Sequence, residues 1–312
     1  MDTNSKIYVA GHRGLVGSAL IRRLASDGYK NLVTRSHQEL DLLGTRAVNG
    51  FFTKEKPEYV FLAAAKVGGI FANNTMGADF IYENLMIQNN VVKAAHDVKV
   101  KKLLFLGSSC IYPRESPQPI KEEYFLEGKP EPTNEPYAAA KIAGILMCQA
   151  FHRQYGDNFI SVMPTNLYGP NDNFDLETSH VFPALIHRFH DAKVANSPTV
   201  TVWGTGSPRR EFLHVDDLAS ACVFLMNNYD DPSIVNIGTG QDVSVKDYAE
   251  MVRETVGFTG TIVWDSSKPD GMPRKLLDVS KINSLGWKAA ITVDKGLRDT
   301  CAWFEKNYHD KT

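Results

Sequence analysis

The sequence predicts an α/β protein with a doubly wound parallel sheet, and three observations lead to this fold class. Short apolar runs with strand character alternate with helix-length segments over the first half of the 312-residue chain. Such alternation is typical of a parallel sheet with helices on both faces. A glycine-rich turn follows the first run. The later runs end in segments rich in glycine and asparagine, as expected where ligands gather at the carboxyl ends of strands.

The predicted elements alternate in the first half of the chain and become mixed afterwards. The early strands are Ile7–Ala10, Asn31–Thr34, Tyr59–Ala63, Leu103–Leu106 and Phe159–Met163, and the helices among them are Leu15–Ser26, Phe80–Val98 and Tyr137–Tyr155. Residues 164–179 are rich in Pro, Asn, Gly and Asp and predict a loop that leaves the sheet. The later elements are the helices Val181–Phe189 and Asp216–Asn227 and the short strands Thr199–Trp203 and Glu211–Val215.

The glycine-rich turn indicates what the sheet binds. The segment GHRGLVG at 11–17 carries glycines at its first, fourth and seventh positions, between the first strand and the first helix. The first glycine permits a tight turn, the second lets a diphosphate approach the backbone, and the third lets helix and strand pack closely, with the helix amino terminus facing the phosphates. This context predicts a dinucleotide-binding Rossmann domain. Its predicted contacts are Gly11, Arg13, Gly14, Leu15, Val16 and Gly17.

The second strand lacks the acidic residue that would hold the ribose 2′-hydroxyl of NAD. The strand ends in TRSH at 34–37, and no carboxylate occurs before Glu39. Arg13 and Arg35 are both placed to meet a 2′-phosphate, because guanidinium geometry matches phosphate oxygens. We therefore predict NADP(H) as the cofactor.

The chain is longer than a usual single core, so we predict two domains. Residues 1–164 plus about 211–238 form the NADP-binding domain. Residues from about 165–210 plus 239–312 form a smaller, mixed α/β substrate-binding domain.

Composition excludes several classes of protein. The formal net charge of −2 and the pI of about 6.5 give no electrostatic signature of nucleic-acid binding. The start is polar, and no apolar run approaches the roughly 18 residues of a membrane span, so we expect a soluble cytoplasmic protein. The four cysteines are widely spaced and lack a C-x-x-C pair, and no histidine cluster accompanies them. Neither a disulfide framework nor a metal site is predicted.

Tyr137 and Lys141 form a Y-x-x-x-K pattern on a predicted helix. Residues four apart share a helix face and lie roughly 6 Å apart along its axis, so the ammonium can act on the phenol. Lowering the tyrosine pKa from about 10 to near neutrality requires ~4 kcal/mol, which a close lysine and a cationic cofactor ring can supply. Ser108 or Ser109, at the end of the fourth strand, would add a second donor to the same carbonyl oxygen. The competing interpretation is a snorkelling lysine beside a packed tyrosine.

These features together resemble the extended short-chain dehydrogenase/reductase family. More closely, the chain resembles those members that epimerise C3 and C5 of GDP-4-keto-6-deoxy-D-mannose and then reduce C4 with NADPH. The matching stretches run through most of the chain: GHRGLVGSA at 11–19, AAAKVGGI at 63–70, LGSSCIYP at 106–113, NEPYAAAKIAG at 134–144, MPTNLYGP at 163–170, REFLHVDD at 210–217 and KPDGMPRK at 268–275.

The resemblance implies catalytic roles for five residues. Ser108, Tyr137 and Lys141 would serve the carbonyl, and Cys110 and His180 would exchange the protons of epimerisation. A 4-keto group acidifies the protons on C3 and C5, and the enolate charge then rests on O4, where the serine and tyrosine donate. A thiol and an imidazole are suited to proton exchange near neutral pH. Which of the two removes a proton stays open, and each also has an ordinary interpretation as a buried thiol or a helix-start residue.

Further ligand contacts follow from the same regions. Arg188 and Arg210 are candidates for the nucleotide diphosphate, because guanidinium bonds to phosphate are strong. Trp203 either packs on the base or fills a core. The remaining predicted cofactor contacts are Ala64, Lys66, Pro164, Asn166, Leu167 and His180, and the predicted substrate contacts are Arg188, Trp203, Arg210, Asp270 and Lys275, with Arg209 and Arg274 adjacent.

Two other functions stay open. A redox-neutral 4-epimerase or 4,6-dehydratase would retain bound NAD, and Cys110 with His180 argues against it. A non-catalytic dinucleotide-sensing module would not need an intact Ser-Tyr-Lys set.

The helices Phe80–Val98 and Tyr137–Tyr155 are apolar on more than one face, which predicts a homodimer formed through a four-helix contact.

Overall fold

The structure, a computed structural model, describes residues 1–176, 178–268 and 270–308. The strands are β1 (Ile7–Ala10), β2 (Leu32–Val33), β3 (Tyr59–Leu62), β4 (Lys102–Leu106), β5 (Phe159–Pro164), β6 (Asn166–Tyr168), β7 (Thr199–Trp203), β8 (Arg209–Arg210), β9 (Phe212–His214), β10 (Val235–Ile237), β11 (Val243–Ser244), β12 (Thr261–Asp265) and β13 (Arg274–Lys275). The helices are α1 (Leu15–Ser26), α2 (Thr45–Glu55), α3 (Ile70–Thr75), α4 (Gly77–Asp97), α5 (Glu135–Tyr155), α6 (Val181–Val194), α7 (Val215–Asn228), α8 (Val245–Val256), α9 (Ser280–Ser284) and α10 (Val293–Asn307).

The main sheet has six strands in the order β10-β5-β4-β3-β1-β2. All of its pairings are parallel. β1, β4 and β5 are buried along their whole length, as expected for parallel strands covered on both faces. From β1 the chain first builds β2 on one side and then β3 on the other, so a ligand crevice is expected at the carboxyl end of β1 and β3. The predicted fold class is confirmed.

Local signals placed several elements correctly. β1, α1 and β7 have their predicted bounds. α5 begins two residues before the prediction, because Pro136 fits the first helical turn, and it ends at Gly156 in a left-handed conformation. The predicted loop at 164–179 contains the strand β6, which the sequence pattern does not show because its hydrogen bonds come from β9, far along the chain.

A second hydrophobic cluster lies outside the main sheet. Aromatic rings form its centre: Tyr168 stacks on Phe182 with ring centroids 3.9 Å apart, and Phe182 lies 4.2 Å from Tyr248. The cluster packs α6, α8 and α10 with the parallel pair β7 and β12. Two predicted substrate contacts, Arg188 on α6 and Trp203 on β7, stand on elements of this cluster. The predicted division into two domains stays a prediction.

In the part of the chain that the structure describes, no helix is both long and apolar enough to cross a membrane.

Candidate active site

The glycine turn leaves an uncovered backbone cradle at the start of α1. Gly11 has a φ of +82°, and a Cβ there would lie 2.8 Å from the Cα of Ala64. A Cβ on Gly17 would lie 2.0 Å from the carbonyl oxygen of Gly11, so this glycine allows α1 to pack on the turn. At Gly14 the nearest atom to an added Cβ is 3.5 Å away, and no side chain caps the helix. Space and free amides at this point fit a bound diphosphate.

Arg13 and Arg35 both lie close to the segment that follows β2. Each lowers the pKa of Glu39, although the hydrogen bonds from Ser36 to that carboxylate lower it more. Arg35 is also held by α2, because its Nη2 lies 2.6 Å from Oε1 of Glu55. The two guanidinium groups thus reach one region, as a 2′-phosphate site requires.

The loop after β3 is held by its backbone. The N–H of Lys66 donates to Oδ1 of Asn84 at 3.1 Å, and its carbonyl accepts from the same side chain at 3.0 Å. The ammonium of Lys66 turns away to Glu83 on α4, with a distance of 2.5 Å. The predicted contact of Lys66 with the cofactor stays a prediction, since its ammonium, N–H and carbonyl are all engaged by α4. Asn84 was missed at the sequence level, where a polar residue on a largely apolar helix is the available signal.

Ser108, Cys110, Tyr137 and Lys141 meet where β4 ends beside α5, and we call these four residues the β4–α5 side. Oγ of Ser108 accepts from the N–H of Cys110 at 3.3 Å. Nζ of Lys141 donates to the carbonyl of Leu106 at 2.7 Å and lies 5.7 Å from the centre of the Tyr137 ring. Lys141 is 4% exposed and Cys110 7%. The carbonyl at the end of β4 thus fixes the lysine beneath the tyrosine.

Burial controls proton affinity on this side. It raises the pKa of Tyr137, and the negative charge of Cys110 would raise it further, while Ser108 lowers it. Burial lowers the pKa of Lys141 to about 8. In the protein alone desolvation of the phenolate dominates, and the ammonium of Lys141 bonds to the Leu106 carbonyl. The lowering of the tyrosine pKa by the lysine and a cationic cofactor ring together stays a prediction. Burial also raises the pKa of Cys110, against the opposing charges of Lys275 and Lys141.

The strands β8 and β13 separate four cations onto two faces. Arg274 pairs with Arg209 and Lys275 with Arg210 in parallel register, and successive strand residues point to opposite faces. Asp242 binds both Arg209 and Arg274 through its carboxylate. Arg210 and Lys275 therefore share the other face. All four cations are candidates from the sequence, but the sequence could not show that two of them form ion pairs with Asp242.

Lys275, on the face it shares with Arg210, acts electrostatically on Cys110 and His180, the predicted epimerisation pair. Desolvation raises the pKa of Cys110 and the charge of Lys275 opposes it; desolvation lowers the pKa of His180 and the charge of Lys275 lowers it further. His180 precedes the first residue of α6 and is exposed. The pKa of Lys275 itself is lowered by burial. Cys110 and His180 thus lie within electrostatic range of one ammonium. We call His180, Arg210 and Lys275 the β8–β13 side.

Trp203 is 62% exposed, so the interpretation that it fills a core is wrong. The guanidinium of Arg188 lies 5.8 Å from the centre of its indole, and Nζ of Lys268 lies 5.5 Å from it. Lys268 was missed because nothing in the sequence relates it to the tryptophan. Asp270 accepts hydrogen bonds from the N–H and the hydroxyl of Thr205, at 2.9 and 2.6 Å, and so fixes the turn after β7.

The segment after β5 is tied to the start of β9. Nδ2 of Asn166 donates to the carbonyl of Glu211 at 3.0 Å. Leu167 is half-buried beside it, and Pro164 ends β5. The structure thus places these predicted cofactor contacts at the carboxyl end of the main sheet. Within the described residues, no group of three or more His, Cys, Asp or Glu side chains is arranged to hold a metal ion.

The fold and the site define a dinucleotide-binding protein with a Ser-Tyr-Lys set. The sequence profile of the NAD dependent epimerase/dehydratase family matches residues 7–238, and the chain belongs to that family. GDP-L-fucose synthase 1 of Arabidopsis thaliana is 60% identical over 98% of this chain and 95% of its own length. GDP-L-fucose synthase of Escherichia coli (strain K12) is 52% identical, with 98% of each chain covered. A solved GDP-L-fucose synthetase from Naegleria fowleri bound to NADP has a TM-score of 0.92 at 31% identity and covers 99% of this chain and 95% of its own.

Proposed function

We propose that this protein is a bifunctional 3,5-epimerase and NADPH-dependent 4-reductase that converts GDP-4-keto-6-deoxy-D-mannose to GDP-L-fucose. One observation carries the proposal: the thiol-bearing Cys110, whose N–H donates to Oγ of Ser108, is buried in the same corner as Tyr137 and Lys141. A simple reductase would need the Ser-Tyr-Lys set alone. The names of the Arabidopsis and E. coli relatives support the same activity.

Cofactor binding would rest on the turn before α1. The N–H groups of Leu15, Val16 and Gly17 would donate to the diphosphate, since that of Gly14 already donates to the carbonyl of Gly11. Arg13 and Arg35 would bind the 2′-phosphate. When bound, NADPH supplies the hydride for C4 of the sugar. Lys141, bonded to the carbonyl of Leu106, would hold a positive charge beneath Tyr137.

Epimerisation would use Cys110 and His180 as the proton-exchanging pair. Removal of a proton from C3 or C5 leaves an enolate whose charge on O4 is stabilised by the hydroxyls of Ser108 and Tyr137. Return of a proton to the opposite face of the same carbon inverts it. In the free protein the raised pKa of Cys110 and the lowered pKa of His180 give a protonated thiol and a neutral imidazole at neutral pH, which are a proton donor and a proton acceptor.

Reduction would use the same oxygen. As C4 accepts the hydride, O4 gains negative charge and takes the phenolic proton of Tyr137. Ser108 continues to donate to that oxygen. A single electrophilic pocket therefore serves both reactions.

The nucleotide would lie along the β8–β13 side. Arg210 and Lys275 face away from Asp242 and are available to a diphosphate, whereas Arg209 and Arg274 are not. The exposed indole of Trp203 offers a stacking surface for the base, and Arg188 and Lys268 lie beside it. Asp270 would contribute by holding the turn that follows the tryptophan.

A cytoplasmic homodimer is the further proposal. All four cysteines of the chain are free, which suits a reducing compartment. Tyr82 on α4 is 62% exposed and Leu146 on α5 is 39% exposed, which supports dimer contact through these two helices. Sedimentation of the wild-type protein and of a Tyr82→Glu variant tests this, and a monomeric wild type would contradict it.

The experiment that tests the activity is an incubation of GDP-4-keto-6-deoxy-D-mannose in D₂O with NADPH, and in parallel with NADH. We expect GDP-L-fucose, deuterium at C3 and C5, and NADPH oxidation in step with product. Copurified stoichiometric NAD without net NADPH consumption would contradict the proposal and favour a redox-neutral enzyme. Equal catalytic efficiency with NADH would remove the roles of Arg13 and Arg35.

A further inference from the structure

The segment that leads into His180 is hydrogen-bonded to the loop that follows β3. The N–H of Gly69 donates to the carbonyl of Thr178 at 2.7 Å. Gly69 belongs to the same loop as Ala64, which packs against the glycine turn. Thr178 stands two residues before His180. This backbone contact thus connects the cofactor side of the molecule with the start of α6.

Gly69 is required by the closeness of this contact and not by its own backbone conformation. Its φ of −66° and ψ of −178° are open to any residue. A Cβ at this position would lie 2.5 Å from the carbonyl oxygen of Ser179 and 3.2 Å from that of Thr178. Both are backbone atoms, which cannot rotate away as a side chain can. Any larger residue must therefore displace the segment that carries His180.

The opposite side of the contact is fixed by Asp175. Its Oδ1 accepts from the N–H and from the hydroxyl of Thr178, each at 2.8 Å. Its carbonyl accepts from the N–H of Ser179 at 3.1 Å. These bonds orient the peptide whose carbonyl receives Gly69. Asn73 completes the arrangement on the other side, because its Nδ2 donates to the carbonyls of Gly68 and Gly69 at 2.7 and 3.0 Å.

We propose that Gly69 and Asp175 are positioning residues that set the place of His180 relative to the ketone held by Ser108 and Tyr137. The inference rests on the proposed function. Proton exchange with a carbon atom depends steeply on placement, and a misplacement of about 1 Å costs about 10²-fold in rate. Hydride acceptance at C4 depends on the β4–α5 side, which this contact does not carry. Disturbing the contact should therefore separate epimerisation from reduction.

The test compares Gly69→Ala and Asp175→Ala, which disturb the contact from opposite sides. We expect deuterium incorporation at C3 and C5 to fall about 10²-fold in Gly69→Ala and to fall in Asp175→Ala as well. NADPH affinity, and NADPH oxidation with the keto sugar already epimerised at C3 and C5, should fall much less. Asp175→Asn should restore exchange, because the amide Oδ1 can accept the same two hydrogen bonds. Gly50→Ala is the matched glycine control, since nothing lies within 4 Å of a Cβ there.

Unchanged exchange in both alanine variants would overturn the inference. An equal loss of exchange, oxidation and NADPH affinity would also overturn it, because it would show a general structural role. If Gly69→Ala does not fold, the contrast between Asp175→Ala and Asp175→Asn decides the question. A wild-type protein without any exchange would instead refute the proposed function, which distinguishes the two failures.

Discussion

The two sides of the site are built differently. The β4–α5 side stands on a strand of five residues and a helix of 21, and its lysine and cysteine are buried. The β8–β13 side stands on two strands of two residues each and on the start of α6, and its groups are half-buried or exposed. On the first side regular structure fixes the groups. On the second, pairing with distant segments does.

This contrast teaches where each part of the reaction is controlled. Groups on the β4–α5 side are desolvated, so their proton affinities shift through burial, as the pKa of about 8 for Lys141 shows. The β8–β13 side acts through charge directed at that pocket. We expect substitutions on the first side to affect chemistry most and substitutions on the second to affect substrate affinity and pH dependence.

The largest expected effect is that of Tyr137→Phe. Loss of the phenolic proton donor should lower the rate of NADPH oxidation about 10³-fold, within the range of general acid catalysis. The ring should stay in place, because its edge contact with Phe80 at 6.2 Å does not involve the hydroxyl. Single-turnover kinetics measure the effect, with Tyr155→Phe as the exposed control. A loss below about tenfold would show that the buried Tyr137 is not the proton donor in the reduction.

Cys110→Ser should affect the other reaction. A serine hydroxyl is a far weaker acid than a thiol and cannot take over its proton transfer, so deuterium incorporation at C3 and C5 should fall at least about 10²-fold, while NADPH binding persists. Cys148→Ser is the matched control, because Cys148 is equally free but buried in the core away from Ser108. Wild-type exchange in Cys110→Ser would remove the cysteine from the mechanism.

The same contrast explains what the sequence could predict. Ser108, Tyr137 and Lys141 lie in contiguous stretches where apolar runs, a glycine and a proline mark the elements, so their meeting follows from local pattern. β8 and β13 are too short for any periodicity, and their register alone decides which cations face the pocket. The contact between Gly69 and Thr178 likewise joins residues more than a hundred positions apart. Such pairings depend on tertiary structure.

Lys275→Met should change the pH dependence of exchange. Lys275 lowers the pKa of both Cys110 and His180, so removing its charge raises both, and both limbs of the profile should move to higher pH. The apparent KM for the nucleotide sugar should rise about tenfold, as for loss of a charged hydrogen bond. Arg274→Met removes a neighbouring charge that Asp242 already binds, and it should leave the profile in place. Identical profiles for the two variants would mean that the register of β8 and β13 does not decide which cation faces Cys110 and His180.

The smallest expected effect is that of Lys268→Met, at the outer edge of the β8–β13 side. An exposed cation beside an aromatic ring contributes about 0.5–1 kcal/mol, which corresponds to a roughly 2- to 5-fold rise in KM. If Lys268 acts through the stacked indole and base, the substitution should have no further effect in a Trp203→Ala background, whereas independent action would give additive losses. Lys54→Met, on α2, is the control for a lost surface charge. Additive losses in the double variant would therefore place Lys268 against the nucleotide itself and not against the tryptophan.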